Sequence, residues 1–202
     1  MSSDQVRAKE SLRLQLKAEA KRHGPEERAD ASRALCQRLL KTPEWQQATR
    51  VLAFYPLRGE PDIQPVLRAA LREEKTLCLP RLNPVSAKYE PVAIRDLAQD
   101  LVLGAYGIQE PSDACPSVPI NHLDLVLIPG LGFDLAFGRL GRGLGHYDRL
   151  LASVQARKCG VAFDWQVGNA VPMEPHDVPV DLLVTPTRWL TRSLGEPGCE
   201  RA

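Results

Sequence analysis

The sequence lacks the features that are typical of membrane proteins, of proteins built around metals or disulfides, and of nucleic-acid-binding proteins. Its five cysteines are widely spaced and include no Cys-x-x-Cys pair, which argues against a zinc site or a disulfide framework. No apolar run approaches a membrane span, and the N-terminus lacks the apolar segment of a signal peptide. The net charge is only +1. We therefore expect a cytoplasmic protein with neither a membrane nor a nucleic acid as partner.

What the sequence does contain is the composition of an ordinary globular protein. It has 202 residues, of which 44% are hydrophobic and 25% charged. That length is enough to bury a hydrophobic core without disulfides or metals. We expect a monomer with one domain over residues 1–202, in which an N-terminal helical pair (4–40) packs on the rest and the tail 191–202 is disordered.

Helical and strand patterns alternate along the chain. Periodic apolar residues predict helices over about 4–22, 26–40, 61–72 and 145–155. Short apolar runs predict buried strands over 50–55, 76–79, 124–128, 159–163 and 181–184. Strands separated by helices indicate an α/β fold with a mainly parallel sheet and helices on both faces. The Pro-rich segment 80–122 is predicted to be irregular, apart from an edge strand and a short helix within 92–98.

A glycine-rich segment follows the third of these strands. Six glycines lie between Gly130 and Gly145, and a predicted helix begins near His146. Clustered backbone N–H groups and a helix N-terminus favour phosphate binding. Arg139 and Arg142 could donate charge-assisted hydrogen bonds to that phosphate. The segment fits neither the Walker A pattern nor Gly-x-Gly-x-x-Gly.

The same segment, GLGFDLAFGRLGRGLGHYDRLL, closely resembles the C-terminal signature of the 5-formyltetrahydrofolate cyclo-ligase family, also called 5,10-methenyltetrahydrofolate synthetases. Three further stretches are similar to that family. They are the helical segment Lys9-Glu10-Ser11-Leu12-Arg13, the strand end from Phe54 to Glu60, and the closing stretches VAFDWQV and VPMEPHDVPVD. The resemblance extends over nearly the whole chain.

This resemblance implies a three-layer α/β domain of the NagB/RpiA/CoA-transferase-like kind and a ligase activity. The enzyme would use ATP, with Mg²⁺, to close 5-formyltetrahydrofolate to 5,10-methenyltetrahydrofolate, releasing ADP and phosphate. ATP would phosphorylate the formyl oxygen, after which nitrogen 10 would attack the activated carbon. Two alternatives are a folate- and nucleotide-binding protein of the same fold without turnover, and a nucleotide-responsive partner of a larger assembly.

The resemblance also assigns roles to individual residues. Arg142 is the expected catalytic residue, nearest the transferring phosphoryl group. The expected folate contacts are Tyr55, Glu60 and His146, and the expected Mg²⁺ ligands are Asp148 and Asp177. The expected ATP contacts are Lys9, Arg13, Arg139, Leu140, Gly141, Arg142, Gly143, Leu144, Gly145, His146 and Tyr147.

The residues alone leave several of these roles open. Lys9 and Arg13 lie four apart on one helical face, which would equally suit a solvated surface. Glu60 and Asp177 could be turn residues, and Asp148 could simply favour a helix N-terminus.

Two residues depart from the family pattern. Leu144 stands where relatives have lysine or glycine, so a lysine–phosphate contact is missing. His146 stands where relatives have tyrosine or phenylalanine. Because imidazole titrates near neutrality and a bound anion would raise its pKa, we expect a histidine-dependent pH term in the neutral range.

Overall fold

The computed structural model describes residues 3–86, 88–104, 107–168 and 170–192. Residues 193–202 of the predicted tail lie outside this range. The helices are α1 (Ser3–Ala20), α2 (Pro25–Leu39), α3 (Pro43–Gln47), α4 (Gln64–Arg72) and α5 (His146–Leu151). The strands are β1 (Arg50–Leu52), β2 (Thr76–Asn83), β3 (Lys88–Ile94), β4 (Leu101–Leu103), β5 (Gln109–Pro111), β6 (Leu125–Pro129), β7 (Gly132–Asp134), β8 (Arg139–Leu140), β9 (Arg157–Val161), β10 (Val167–Gly168), β11 (Leu182–Val184) and β12 (Trp189–Thr191).

A seven-stranded sheet forms the centre, in the order β12-β11-β9-β6-β1-β2-β3. The five inner strands are parallel and are the five predicted from the sequence. In register, Val51 of β1 lies between Leu77 of β2 and Leu125 of β6. The predicted α/β fold with a mainly parallel sheet is therefore confirmed.

Both edges of this sheet are antiparallel. The edge strand expected within 92–98 is present but longer, because β3 starts at Lys88 and pairs with β2 over seven residues. The prediction that 80–122 is irregular is wrong for β3 and for the hairpin of β4 and β5. No helix forms at 94–98, where Asp96 Oδ1 instead accepts the N–H groups of Ala98 and Gln99 in a turn.

Several helices are shorter than predicted, for local reasons. α4 begins at Gln64, three residues after Pro61, because Asp62 Oδ1 accepts the Gln64 N–H at 3.0 Å and holds a turn there. α5 ends at Leu151, because the residues that follow form i→i+3 hydrogen bonds of a turn in place of helical ones. Between β6 and α5 the chain forms β7 and β8, which pair with each other and, through β7, with the later strand β10 in a three-stranded sheet.

Helices cover both faces of the central sheet. On one face Leu35 and Leu67, from α2 and α4, pack with inward side chains such as Val51. On the other face Leu150 and Leu151 of α5 pack with Leu52 and its neighbours. Each fully buried leucine contributes about 1.5–3 kcal/mol of burial free energy. The side chains of successive strand residues thus pack on opposite faces of the sheet, as expected for a strand that is buried on both sides.

Cysteine side chains and Trp45 pack in the interior of the protein. Cys78 and Cys159 are buried, and every cysteine in the described residues is a free thiol. Burial raises the pKa of Cys78 to about 12, so this thiol stays protonated at neutral pH. Trp45 is fully buried. Within the described ranges, no helix combines the length and the apolar character needed to cross a bilayer.

Candidate active site

A cavity of about 520 Å³ lies at the carboxyl ends of the parallel strands. Tyr55 follows β1, Pro80 lies toward the end of β2, and Pro129 ends β6, and all three line it. Open α/β sheets bind ligands at this edge. Side chains of α1, the segment 139–148 and the segment 174–177 complete the walls.

Every site residue predicted from the sequence lines this one cavity. The structure therefore brings together residues that are far apart in the chain, although their individual roles remain predictions. The residues are Lys9, Arg13, Tyr55, Glu60, Arg139, Leu140, Gly141, Arg142, Gly143, Leu144, Gly145, His146, Tyr147, Asp148 and Asp177.

Arg139 is a buried side chain that pairs with Asp148. Its Nη2 donates to Asp148 Oδ1 at 2.7 Å, and its guanidinium lies 5.6 Å from the centre of the Tyr147 ring. The side chain is only 3% exposed. Its buried Nε has no hydrogen-bond partner within the part of the chain that is described. Asp148 is thus held through one carboxylate oxygen by an arginine of the same segment.

Arg142 is held in a different way, by a residue from another part of the chain. Its Nη2 donates to Glu60 Oε1 at 2.9 Å, and Glu60 Oε2 accepts the Leu57 N–H at 3.0 Å. The Arg142 side chain is 48% exposed, whereas that of Glu60 is 8% exposed. The alternative that Glu60 is an exposed turn charge is therefore wrong. The pair directly connects a predicted folate ligand with the predicted catalytic residue.

The backbone of the glycine-rich segment turns at Gly143 and Gly145, whose φ angles are +100° and +66°. These values lie in the left-handed region that favours glycine. Arg13 of α1 packs on this turn, since its Nε donates to the Gly141 carbonyl at 3.0 Å. Leu144, one of the two departures from the family pattern, lines the cavity and is exposed.

Lys9 lies between two carboxylates on the opposite wall. Its Nζ donates to Glu174 Oε2 at 2.7 Å and to Asp177 Oδ2 at 2.5 Å. All three side chains are buried. The alternative of a solvated surface is therefore wrong for Lys9. α1 is fixed here also by an apolar cluster around Leu12, Leu140 and Val171.

The charges of this group stabilise one another. Burial by itself would lower the pKa of Lys9, but the hydrogen bonds to Asp177 and Glu174 outweigh it and raise the pKa above its usual value. Burial would likewise raise the pKa of Asp177, but the hydrogen bonds from Lys9 and from the Glu174 N–H lower it. Both groups are therefore ionised at neutral pH.

The same wall holds the donor set that suits a hard cation. Ligand atoms of Glu174, His176 and Asp177 lie within 4.8 Å of one another. Carboxylate oxygens are the ligands that Mg²⁺ prefers, so Glu174 and Asp177 fit that ion. The predicted ligand Asp148 is not a member of this group, and its carboxylate pairs with Arg139 instead.

His146 opens α5 and lies among aromatic and cationic groups. Its Nδ1 is 2.8 Å from Arg149 Nη2, and its ring centre is 5.1 Å from that of Tyr89. Burial, and then the Arg149 charge, lower the pKa of His146 below the usual 6.5. The expected pH term therefore lies on the acid side of neutrality in the free protein.

Apolar side chains and one further carboxylate complete the cavity. Tyr89, Ile108 and Leu57 line it together with Glu110, which is buried. Burial raises the pKa of Glu110, against the lowering effects of the Leu82 N–H and the Arg81 charge. This region supplies flat apolar surface of the kind that an aromatic ring system needs.

Among the cavity-lining residues that sequence reasoning missed are Tyr89, Glu110, Glu174 and His176. Tyr89 and Glu110 lie in the segment predicted to be irregular, so nothing placed them near a strand edge. Glu174 and His176 were present in the quoted stretch VPMEPHDVPVD. An acidic residue three positions before Asp177 was the available signal.

Comparisons with known proteins agree with this geometry. The model of the 5-formyltetrahydrofolate cyclo-ligase family matches residues 5–186. The 5-formyltetrahydrofolate cyclo-ligase of Escherichia coli K12 is 32% identical over 174 residues, covering 81% of this chain and 92% of that protein. The mouse cyclo-ligase is 28% identical over 185 residues, covering 86% of this chain and 91% of that protein.

A solved structure is similar along almost the full length. The NMR structure of Aquifex aeolicus 5,10-methenyltetrahydrofolate synthetase superposes with a TM-score of 0.82 at 32% identity, covering 96% of this chain and 99% of that chain. The family match includes α1, the cavity at the sheet edge and the glycine-rich segment. The chain belongs to the 5-formyltetrahydrofolate cyclo-ligase family.

Proposed function

We propose that the cavity binds 5-formyltetrahydrofolate and MgATP side by side, with the two substrates meeting at Arg142. The activity itself follows from the family: the chain is a ligase that uses ATP to cyclise 5-formyltetrahydrofolate to 5,10-methenyltetrahydrofolate. The observation that carries the proposed arrangement is the ion pair between Glu60 and Arg142. It joins a predicted folate ligand to a predicted phosphate ligand within one cavity.

The chemistry explains why both substrates must share a site. A formamide carbonyl carbon is a poor electrophile, and transfer of the γ-phosphoryl group to its oxygen makes that oxygen a leaving group. Nitrogen 10 then attacks the carbon and loses its proton. The carbon–oxygen bond breaks, phosphate departs, and ADP remains. Catalysis of such a sequence depends on positioning and on neutralising phosphate charge, without a protein nucleophile.

At the phosphate end, Arg142 is the proposed catalytic residue. Its half-exposed guanidinium can leave Glu60 and donate to the phosphoryl oxygens, whereas the buried Arg139 is held by Asp148. Arg13 and the turn at Gly143 and Gly145 are proposed to border the phosphates. This assignment is supported by the packing of Arg13 on the turn through the Gly141 carbonyl.

At the folate end, Tyr55 and the ring of His146 are proposed to contact the pterin. Glu60 would accept hydrogen bonds from its amino and ring N–H groups, as carboxylates do. The Glu60 carboxylate now accepts from Arg142 and from the Leu57 N–H, and in this proposal the pterin takes the place of Arg142. Pterin binding would therefore release Arg142 toward ATP, so that folate occupancy and phosphoryl transfer are linked.

Mg²⁺ is the proposed cofactor. Asp177 has oxygen donors to hold it, and Asp148 is the second ligand proposed from the family pattern. Bound Mg²⁺ neutralises phosphate charge. For both carboxylates the present partner is a cationic side chain, Lys9 or Arg139, which each would share or give up.

An absorbance assay for methenyltetrahydrofolate formation tests the proposal. With 5-formyltetrahydrofolate, ATP and Mg²⁺, product and ADP should form in equal amounts, and omission of either substrate should abolish both. ADP formation without folate at the full rate would contradict the linkage through Glu60. Absence of product and of ADP would favour the alternative, a binding protein without turnover.

The proposed setting is a cytoplasmic monomer without a nucleic-acid or membrane partner. Support comes from the free buried cysteines, which suit a reducing compartment, and from a net charge of only +1. Elution at the size of 22.4 kDa would agree with a monomer. A larger species that dissociates on dilution would contradict it.

A further inference from the structure

Glu174 contacts Lys9 in a way that no role assigned so far uses. Its carboxylate accepts the Lys9 ammonium at 2.7 Å, and only 5% of its side chain is exposed. Its backbone N–H donates to Asp177 Oδ2 at 2.7 Å. That same oxygen also accepts Lys9, at 2.5 Å. Glu174 therefore touches both the cation and the second anion of the group.

A cation bound at Asp177 would compete with Lys9 for the negative charge of this carboxylate. One of its oxygens already has two donors, and Lys9 supplies a positive charge at the position where a metal would bring another. If Asp177 turns to Mg²⁺, the Lys9 ammonium loses one of its two anionic partners. A buried ammonium left without a partner is strongly unfavourable.

We propose that Glu174 is a positioning residue that retains Lys9 in the cavity while Asp177 binds the Mg²⁺ of MgATP. This inference rests on the proposed function, which assigns Asp177 to Mg²⁺, and on the family resemblance, which assigns Lys9 to ATP. Glu174 and Lys9 form a neutral pair, which leaves the full negative charge of Asp177 available to the metal. Without Glu174, Lys9 would neutralise Asp177 and compete with Mg²⁺ for it.

The test measures nucleotide binding, not turnover. Binding of ATP is titrated by calorimetry at a series of Mg²⁺ concentrations, without folate, for the intact chain and for Glu174→Gln. The amide keeps the size of the side chain but removes its charge. We expect the Mg²⁺ concentration at half-maximal binding to rise roughly tenfold or more, as for other groups that support metal ligands.

A second pair of variants separates positioning from simple structural support. In a Lys9→Met background there is no ammonium to retain, so Glu174→Gln should leave the Mg²⁺ midpoint unchanged. Glu174→Asp keeps the charge and should bring the midpoint back toward that of the intact chain. Glu90→Gln serves as the matched control, since Glu90 pairs with Arg81 and does not line the cavity.

The outcomes distinguish the two proposals. An intact chain that binds no ATP at any Mg²⁺ concentration would overturn the proposed function. An intact chain with Mg²⁺-dependent binding and an unshifted Glu174→Gln midpoint would overturn the role of Glu174 alone. An equal shift with and without Lys9 would also overturn it. If Glu174→Gln does not fold, the test uses Glu174→Asp, which keeps the charge. A Mg²⁺ concentration at half-maximal ATP binding far above that of the intact chain in this variant would overturn the charge pairing.

Discussion

Two arginines of the glycine-rich segment, three positions apart, have opposite surroundings. Arg139 lies at the end of the small sheet, where Asp148 and the Tyr147 ring enclose it. Arg142 lies in the turn, half exposed, and its ion-pair partner comes from residue 60. A buried pair is costly to break, whereas an exposed guanidinium exchanges partners readily. We infer that Arg139 maintains the structure and that Arg142 takes part in the reaction.

The largest expected effect concerns Arg139. Arg139→Met removes one member of a buried ion pair, so the free energy of unfolding should fall by about 3 kcal/mol. Denaturant titration measures this change. Arg142→Met is the matched control and should unfold at nearly the same denaturant concentration as the intact chain. Equal stability of both variants would remove the distinction between the two arginines.

The next effect concerns turnover. Arg142→Ala should lower kcat by roughly 10²-fold or more, because the guanidinium is proposed to stabilise charge on the transferring phosphoryl group. Folate binding should weaken far less. Arg142→Lys should recover only part of the rate, since an ammonium cannot replace the planar guanidinium. A near-normal kcat in Arg142→Ala would contradict this catalytic role and would indicate that Arg142 has a structural role.

A smaller effect, on the Mg²⁺ dependence of activity, is expected for Asp148, the partner of the buried Arg139. Asp148→Asn keeps an oxygen that can accept from Arg139 but loses the charge that Mg²⁺ prefers. The Mg²⁺ concentration for half-maximal activity should rise about tenfold. The free energy of unfolding should fall less than in Arg139→Met, because the amide oxygen still accepts the hydrogen bond from Arg139. If Mg²⁺ dependence stays the same while stability falls, Asp148 acts only as the partner of Arg139.

The smallest effect is expected at His146. Since burial and Arg149 lower its pKa, the imidazole of the free protein is neutral at pH 7 and becomes charged only in more acid solution. His146→Tyr should therefore have the same kcat/KM profile as the intact chain above pH 6.5 and differ only below it. Profiles that diverge between pH 7 and 8 would show that a bound anion controls this histidine.

The central fold could be predicted because its signals are local. Each inner strand is a short apolar run, and all five were found. The antiparallel edges were harder, since β3 contains Pro91 and mixes polar with apolar residues. An edge strand needs only one neighbour, so its sequence is less constrained. The hairpin of β4 and β5 is too short to leave a pattern.

Site residues that belong to a sequence motif could be predicted, whereas the tertiary contacts between them could not. The motif in the glycine-rich segment predicted Arg139, Arg142 and Asp148 as site residues. Neither the spacing of the charges nor the motif showed that Asp148 pairs with Arg139 or that Glu60 reaches Arg142. Such pairs depend on how the folded backbone brings distant residues together, which no local pattern contains.

The anchoring of α1 has a consequence for protein synthesis. Lys9 is synthesised before its partners Glu174 and Asp177, which follow 165 and 168 positions later. Most of the stability of a helix in a protein comes from tertiary packing. On the ribosome, α1 must therefore wait until these two residues have been made before it can form this contact. A translation product that stops before Glu174 would lack the contact.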